Sequence, residues 1–239
     1  MPSPSLPSHP VVAITGCRRG LGRALVEAFS HAGAKVIAHA RTEAQAREIA
    51  DTASEQVDVA WGDVRDAELP GRIIQAAAPH GGVDLLVLNA GVINTMGPLM
   101  DADAGEFAEV MAINVSAQLG LIQAVVPGMV SRGRGAVMWL TSGLGRFGLP
   151  GYGAYCASKH AVEGLMKVLA EEHQDDGVIS VAVAPGMVQT DMLKTALGTD
   201  DVSDHQTPQA TARGFVKLAG ALSQTHTGRS LDIAGWLEG

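Results

Sequence analysis

The chain is poor in cysteine, in aromatic side chains and in positive charge, and each shortage removes a class of protein. Its two cysteines, Cys17 and Cys156, sit in segments with other work to do and lack the spacing of a metal site. They rule out a disulfide scaffold and a zinc cluster, and suggest free thiols in a reducing cytoplasm. Acidic residues outnumber basic ones by 25 to 17, for a net charge of −8, which argues against a nucleic-acid surface and against attraction to anionic membranes. No apolar run approaches the ~20 residues needed to span a bilayer. The opening MPSPSLPSHP lacks the basic and apolar regions of a signal peptide, so residues 1–9 are expected to form a short disordered tail before one domain at 10–239.

What the chain has in quantity is glycine, 29 of 239 residues, within a composition that is 46% hydrophobic. Apolar Val11–Ile14 runs straight into TGCRRGLG and then into a helical pattern through Ala24, Leu25, Ala28 and Phe29. Strand, glycine turn and helix in that order form the context a phosphate-binding loop requires. Gly16, Gly20 and Gly22, with Leu21 between the last two, let the backbone come close to a pyrophosphate, toward which the following helix points its free amides. A second strand, 35–38, ends in HART, with Ala40 where an acid would hold a ribose hydroxyl and Arg41 next. With Arg19 in the glycine turn, two guanidiniums can converge on a 2′-phosphate. His39 reads as packing.

Further strands are expected at 57–60, 84–88, 136–141 and 178–184, with a closing strand in TGRSLDIAGW. Helices are expected at 43–53, 66–78, 103–131 and 207–222. After the third strand, GDV places Asp63 to meet an adenine amino group, with Val64 beside it. Asn89–Gly91 reads NAG, with Ala90 and Gly91 permitting another close approach. Asn114 falls inside the long helix, where an asparagine either satisfies a neighbouring backbone group or bends the helix. The strand ending at Ala184 is stopped by Pro185 and Gly186, leaving Val188 and Thr190 at the sheet's carboxyl edge. Residues 187–206 read as a mobile lid with one short helix. Strands alternating with helices at this spacing give an α/β fold, a Rossmann-type doubly wound parallel sheet of about seven strands.

The stretch TSGLGRFGLPGYGAYCASK, 141–159, carries the chemistry. Tyr155 and Lys159 are four residues apart, hence on one helical face. A phenol titrates near ~10. An ammonium about 4 Å away at an effective dielectric of about 20 offers roughly 4 kcal/mol toward stabilising its anion. Ser142, at the preceding strand end, can donate to a carbonyl oxygen.

Taken together, TGxxxGxG, NAG, Asn114, Ser142, YxxxK and PGxVxT make the chain resemble a short-chain dehydrogenase/reductase. The resemblance implies that Tyr155 is the acid/base and that Lys159 binds the nicotinamide ribose and lowers the Tyr155 pKa. Ser142 would polarise the carbonyl, and Asn114 would hold a relay water. It implies that Val188 and Thr190 fix the carboxamide, that Asn89 steadies the sheet, and that Arg19 and Arg41 mark an NADP(H)-preferring branch. A homodimer or homotetramer is implied as well. Departures are LNAG, TS, and DIAGW where a double glycine is frequent, which puts Trp236 and Leu237 in question.

The expected activity is NADPH-dependent reduction of a small-molecule carbonyl to an alcohol, with no nucleic-acid, membrane or metal partner. Leu144, Tyr152, Met187 and Met192, with Met96, Phe147, Leu149 and Leu193, suggest a mostly apolar pocket. Arg146 is a candidate for an acidic substrate. The alternatives are a 3-oxoacyl thioester reductase, whose acidic carrier Arg132 and Arg134 could grip, and a non-catalytic NADP(H) sensor. Sugar epimerisation needs a substrate domain for which there is no room.

Overall fold

A computed structural model describes residues 6–237 of the chain. Seven strands form one wholly parallel sheet in the order β3-β2-β1-β4-β5-β6-β7. They are β1 (Val11–Ile14), β2 (Lys35–Ala40), β3 (Val57–Trp61), β4 (Leu85–Leu88), β5 (Gly135–Leu140), β6 (Val178–Ala184) and β7 (Ser230–Asp232). The central strands are unbroken apolar runs because both faces of the sheet are covered. In β1, Val12 and Ile14 face one core and Val11 and Ala13 the other.

The first core is closed by α1 (Gly20–His31), α2 (Glu43–Ala50) and α8 (Pro208–Ala221), through Leu25, Phe29, Ile49 and Phe215. The second is closed by α3 (Leu69–Ala77), α5 (Ala117–Arg132) and α6 (Gly153–His173), through Ile73, Leu121, Met129 and Met166. Strand order reverses between β1 and β4. The loops leaving those two strands therefore part and open a crevice at the carboxyl edge, the usual ligand position of such sheets.

Most expected elements are present, and four differences have physical causes. The long helix is three pieces: α4 (Ala104–Met111), a π turn at Ala112–Ser116, and α5. The widened turn coincides with Asn114, whose side chain is bonded to another segment rather than to its own helix. As one 29-residue helix, Ala104–Arg132 is long and apolar enough to cross a membrane, contrary to the expectation of no such run. Here it lies along the sheet, burying Leu121, Val125 and Met129. The closing strand is only three residues long and gives way to a 3-10 turn, Ile233–Trp236, from which Ile233, Trp236 and the following Leu237 pack on the first core.

The expected lid contains α7 (Asp191–Leu197) and is tied down. The Gln189 amide donates to the carbonyls of Ser203 (2.9 Å) and His205 (2.7 Å), and Val188 bridges Gln206. Of the expected tail, residues 1–5 lie outside the described residues, whereas Leu6 packs on the core and His9 contacts the Gly33 carbonyl at 3.2 Å.

A candidate active site at the carboxyl edge

The glycine turn is held from three sides. The Asn89 amide donates to the carbonyls of Thr15 (2.8 Å) and Gly16 (3.2 Å), the Ala90 N–H donates to Thr15 Oγ1 (2.9 Å), and the Gly16 N–H donates to His39 Nδ1 (3.1 Å). His39 Nε2 in turn meets the Gly62 carbonyl at 2.8 Å. That pairing assigns the Nε2–H tautomer, and burial lowers the His39 pKa so that the ring stays neutral. A Cβ on Gly22 would lie 2.1 Å from the Gly16 carbonyl oxygen, so only glycine closes this turn. The helices α2, α4, α7 and α8 each begin on a side chain that accepts a backbone N–H: Thr42, Asp103, Thr190 and Thr207. Like α3 and α6, α1 begins with no side-chain cap and no acid in its first turn, its first flanking residue being Arg19. Its amides and positive end face the crevice uncompensated, in a cradle that suits an anion.

Arg19 does not point to Arg41. Its guanidinium pairs with Asp191 of α7 at 2.6 Å, both side chains being mostly exposed. Asp63 is likewise engaged: Arg65 donates to both its carboxylate oxygens at 2.8 Å, holding that carboxyl well below the usual range, with Arg41 adding a weaker attraction. Arg65 is a neighbour that sequence spacing gave no reason to choose.

Ser142 leaves β5 and Tyr155 and Lys159 stand on α6, as the spacing predicts. The Ser142 hydroxyl lies beside the Tyr155 phenol, where it favours the phenolate, and accepts from the Leu144 N–H at 3.2 Å. Lys159 is buried, donates to the Leu140 carbonyl at 2.8 Å, and lies 5.5 Å from the Tyr155 ring centre. The expected lowering of the Tyr155 pKa is absent. Burial pushes the phenol up to about 12 against the opposing influence of Ser142, and pushes the Lys159 ammonium down to about 8. Desolvation is the largest influence on both groups.

Asn114 clamps Val92, accepting its N–H (2.8 Å) and donating to its carbonyl (2.9 Å), and it also donates to Ser158 Oγ (3.0 Å). Ser158 passes the link to the Tyr155 carbonyl at 2.8 Å. Both amide N–H donors are thus used in binding the 92 loop to α6, and π turns of this kind recur at functional sites. Asn94, not singled out in the sequence, accepts the Tyr155 N–H at 3.1 Å and donates to the Gly151 carbonyl at 3.3 Å. Its only signal was an asparagine three residues past the NAG turn.

Of the substrate candidates, the Tyr152 hydroxyl donates to the Ala196 carbonyl at 2.6 Å and so fastens α7, while Leu144 is half-buried and Met187 and Met192 are exposed. Val188 is buried, and Thr190 caps α7 through the Leu193 N–H. Pro185 and Gly186, at φ +74°, turn the chain there. Arg146 does not face the site. It pairs with Asp232 (2.9 Å) and Ser230 (3.0 Å), near buried Glu163. Arg132 and Arg134 lie at the opposite edge of the sheet, on Val83 and Asp84, which precede β4.

The family model for short chain dehydrogenases matches residues 10–201. An NADPH-dependent pterin aldehyde reductase of Arabidopsis thaliana is 31% identical, over 93% of this chain and 92% of its own. A 3-oxoacyl-(acyl-carrier-protein) reductase of Escherichia coli is 31% identical, over 94% and 93%. A Shigella flexneri short chain dehydrogenase solved with NADP superposes with a TM-score of 0.86, at 28% identity over 97% of this chain and 99% of that one. The chain belongs to the short-chain dehydrogenase family.

Proposed function

We propose that this member of the family is an NADP(H)-dependent reductase that converts a ketone or aldehyde to an alcohol. The observation that carries the reading is a serine hydroxyl beside a buried phenol, with a buried ammonium 5.5 Å from the phenol ring, next to a glycine-turn helix that has no side-chain cap. The relatives' names support both halves, since one reductase is named for NADPH and one structure for NADP.

The residues present fit the dinucleotide. The α1 amides and Gly16, Gly20, Leu21 and Gly22 would hold the pyrophosphate, and Arg19 and Arg41 the 2′-phosphate. Asp63 and Val64 would lie at the adenine, with Asn89, Ala90 and Gly91 along the ribose, and Pro185, Gly186, Val188 and Thr190 around the nicotinamide. When bound, NADPH supplies the hydride for the carbonyl carbon. Ser142 donates a hydrogen bond to the carbonyl oxygen, which holds it against Tyr155 and favours the charge that develops there. Tyr155, protonated at neutral pH with its pKa near 12, delivers the proton that completes the alcohol. Lys159 keeps its charge at pH 7, below its pKa of about 8, and opposes the negative charge left on the phenol. Asn114 fixes the Val92 loop and, through Ser158, the turn of α6 that carries Tyr155.

A second reading, reduction of a carrier-bound 3-oxoacyl thioester, is favoured by the Escherichia coli relative and weakened by the remote positions of Arg132 and Arg134. A homodimer is the assembly we favour. The outer groove between α5 and α6, about 590 Å³, is lined by Leu119, Ile122, Val126, Val130, Leu165 and Val168, a surface that a second copy would cover. A cytoplasmic setting agrees with two free buried cysteines. The test is fluorescence titration with NADPH and NADH, followed by a panel of aldehydes, ketones and 3-oxo thioesters read at the nicotinamide absorbance. Tight NADPH binding with carbonyl turnover is expected. Binding without turnover on any of them would favour the sensor, and preference for NADH would overturn the cofactor.

A further inference from the structure

Seven of the twelve large apolar side chains that stand exposed among the described residues fall in three short segments around Tyr155. Leu99 (70% exposed) and Met100 (97%) come from the loop after β4. Phe147 and Leu149 follow Ser142, and Met187, Met192 and Leu197 follow β6. The three segments are joined to one another at the site. The Gly97 N–H donates to the Gly151 carbonyl at 3.2 Å, and Leu99 crosses so close to Gly153 that a Cβ there would lie 2.8 Å from its Cδ1. The Phe147 ring borders Gly143, next to Ser142, and the Tyr152 hydroxyl holds α7.

The charge on this rim is scant and mostly consumed. Arg146 is turned away onto Asp232, and Asp191 is paired with Arg19. Lys194 is the only other basic residue in the three segments, and Asp101 stands in the first of them. Such a rim gains nothing from a phosphate or carboxylate, and gains free energy for each methylene it takes out of water.

Resting on the reductase reading, we propose that the substrate is an uncharged carbonyl compound with an extended apolar body. Its carbonyl sits at Ser142 and Tyr155, and its body lies along Leu99, Leu149 and Met187. A carrier-linked or carboxylate-bearing substrate is not what this rim selects. The reduction balances as in any member of the series: hydride from NADPH to the carbonyl carbon, the Tyr155 proton to oxygen, NADP⁺ and alcohol released.

The experiment is kcat/KM with NADPH for methyl ketones from 2-butanone to 2-decanone, and for ω-carboxylated ketones of matched length. Values should rise about three- to fourfold per added methylene until the rim is covered, and a terminal carboxylate should lower them tenfold or more. In a Leu149→Asn, Met187→Gln variant the slope should flatten. A flat series, or carboxylated ketones that match or exceed their neutral counterparts, overturns the proposal and leaves the reductase intact. No turnover of any ketone while NADPH binds overturns the reductase reading itself, and this inference with it.

Discussion

The two edges of the same sheet are built to opposite rules. At the amino edge, charges meet partners and close the fold. Asp84 accepts the buried Val11 N–H at 3.0 Å and faces Arg134 at 3.6 Å, while Arg132 donates to the Val83 carbonyl. At the carboxyl edge the structure keeps groups that cost stability or add none: a buried lysine, a helix without a side-chain cap, a phenol held neutral by burial and a rim of exposed apolar side chains. The difference separates residues that hold the protein together from residues it holds at a cost, and the second set marks the reactive side.

The sharpest way to test that division is to remove the phenol. Tyr155→Phe should lower kcat on the order of a thousandfold, the span that general acid catalysis commands, with NADPH affinity kept by titration. Loss of less than tenfold would take Tyr155 out of the chemistry.

Lysine 159 tests the cost itself. Its pKa falls from 10.5 to about 8, so between those values the unfolded chain holds a proton that the folded chain does not. Wild-type stability should therefore climb as pH rises from 8 to 10.5, and at pH 7 the full penalty of about 3 kcal/mol is present. Lys159→Met removes that penalty but gives up the bond to the Leu140 carbonyl, worth about 1–2 kcal/mol. A net gain of about 1–2 kcal/mol at pH 7 is expected, with the climb above pH 8 abolished in urea melts and turnover lost. Destabilisation at pH 7 would show that the lysine supports the fold.

At the other edge the signs reverse. Asp84→Ala strands the buried Val11 N–H and should cost about 1–3 kcal/mol, with kcat within twofold of wild type. A large fall in kcat at constant stability would break the comparison, since it would make the amino edge part of the active site.

How much of this was legible in the residues follows from the range of the forces involved. The central strands were legible because double-sided burial writes itself as unbroken Val, Ile, Leu and Ala runs, as in β1 and β6. Ser142, Tyr155 and Lys159 were legible because one strand and one helix set their spacing. The π turn was not, because it accompanies bonds from Asn114 to Val92 that only the tertiary fold creates. The direction of the Tyr155 shift was missed for a related reason. Spacing placed the ammonium near the ring but could not show how deeply both groups are buried. The short β7 was overextended because its apolar residues pack as a 3-10 turn against α8 rather than continue the ladder.

The smallest expected effect lies in a pair no sequence window contains. Arg19 and Asp191 are 172 positions apart, yet they join the glycine turn to α7 across the mouth of the crevice. If Arg19 also receives the 2′-phosphate, Asp191 competes with that phosphate for the same guanidinium. An ion pair this exposed is worth at most ~1 kcal/mol. Asp191→Asn should therefore tighten NADPH binding by about two- to fivefold and leave NADH unchanged. Arg19→Ala should weaken NADPH tenfold or more, the scale of one charge-assisted phosphate contact, and again leave NADH alone. Equal effects on both dinucleotides would move Asp191 from phosphate competition to the seating of α7. If Arg19→Ala also leaves NADPH binding unchanged, the 2′-phosphate falls to Arg41 and its neighbours. The salt bridge then belongs with the pairs of the amino edge, as a brace of the fold standing on the reactive side.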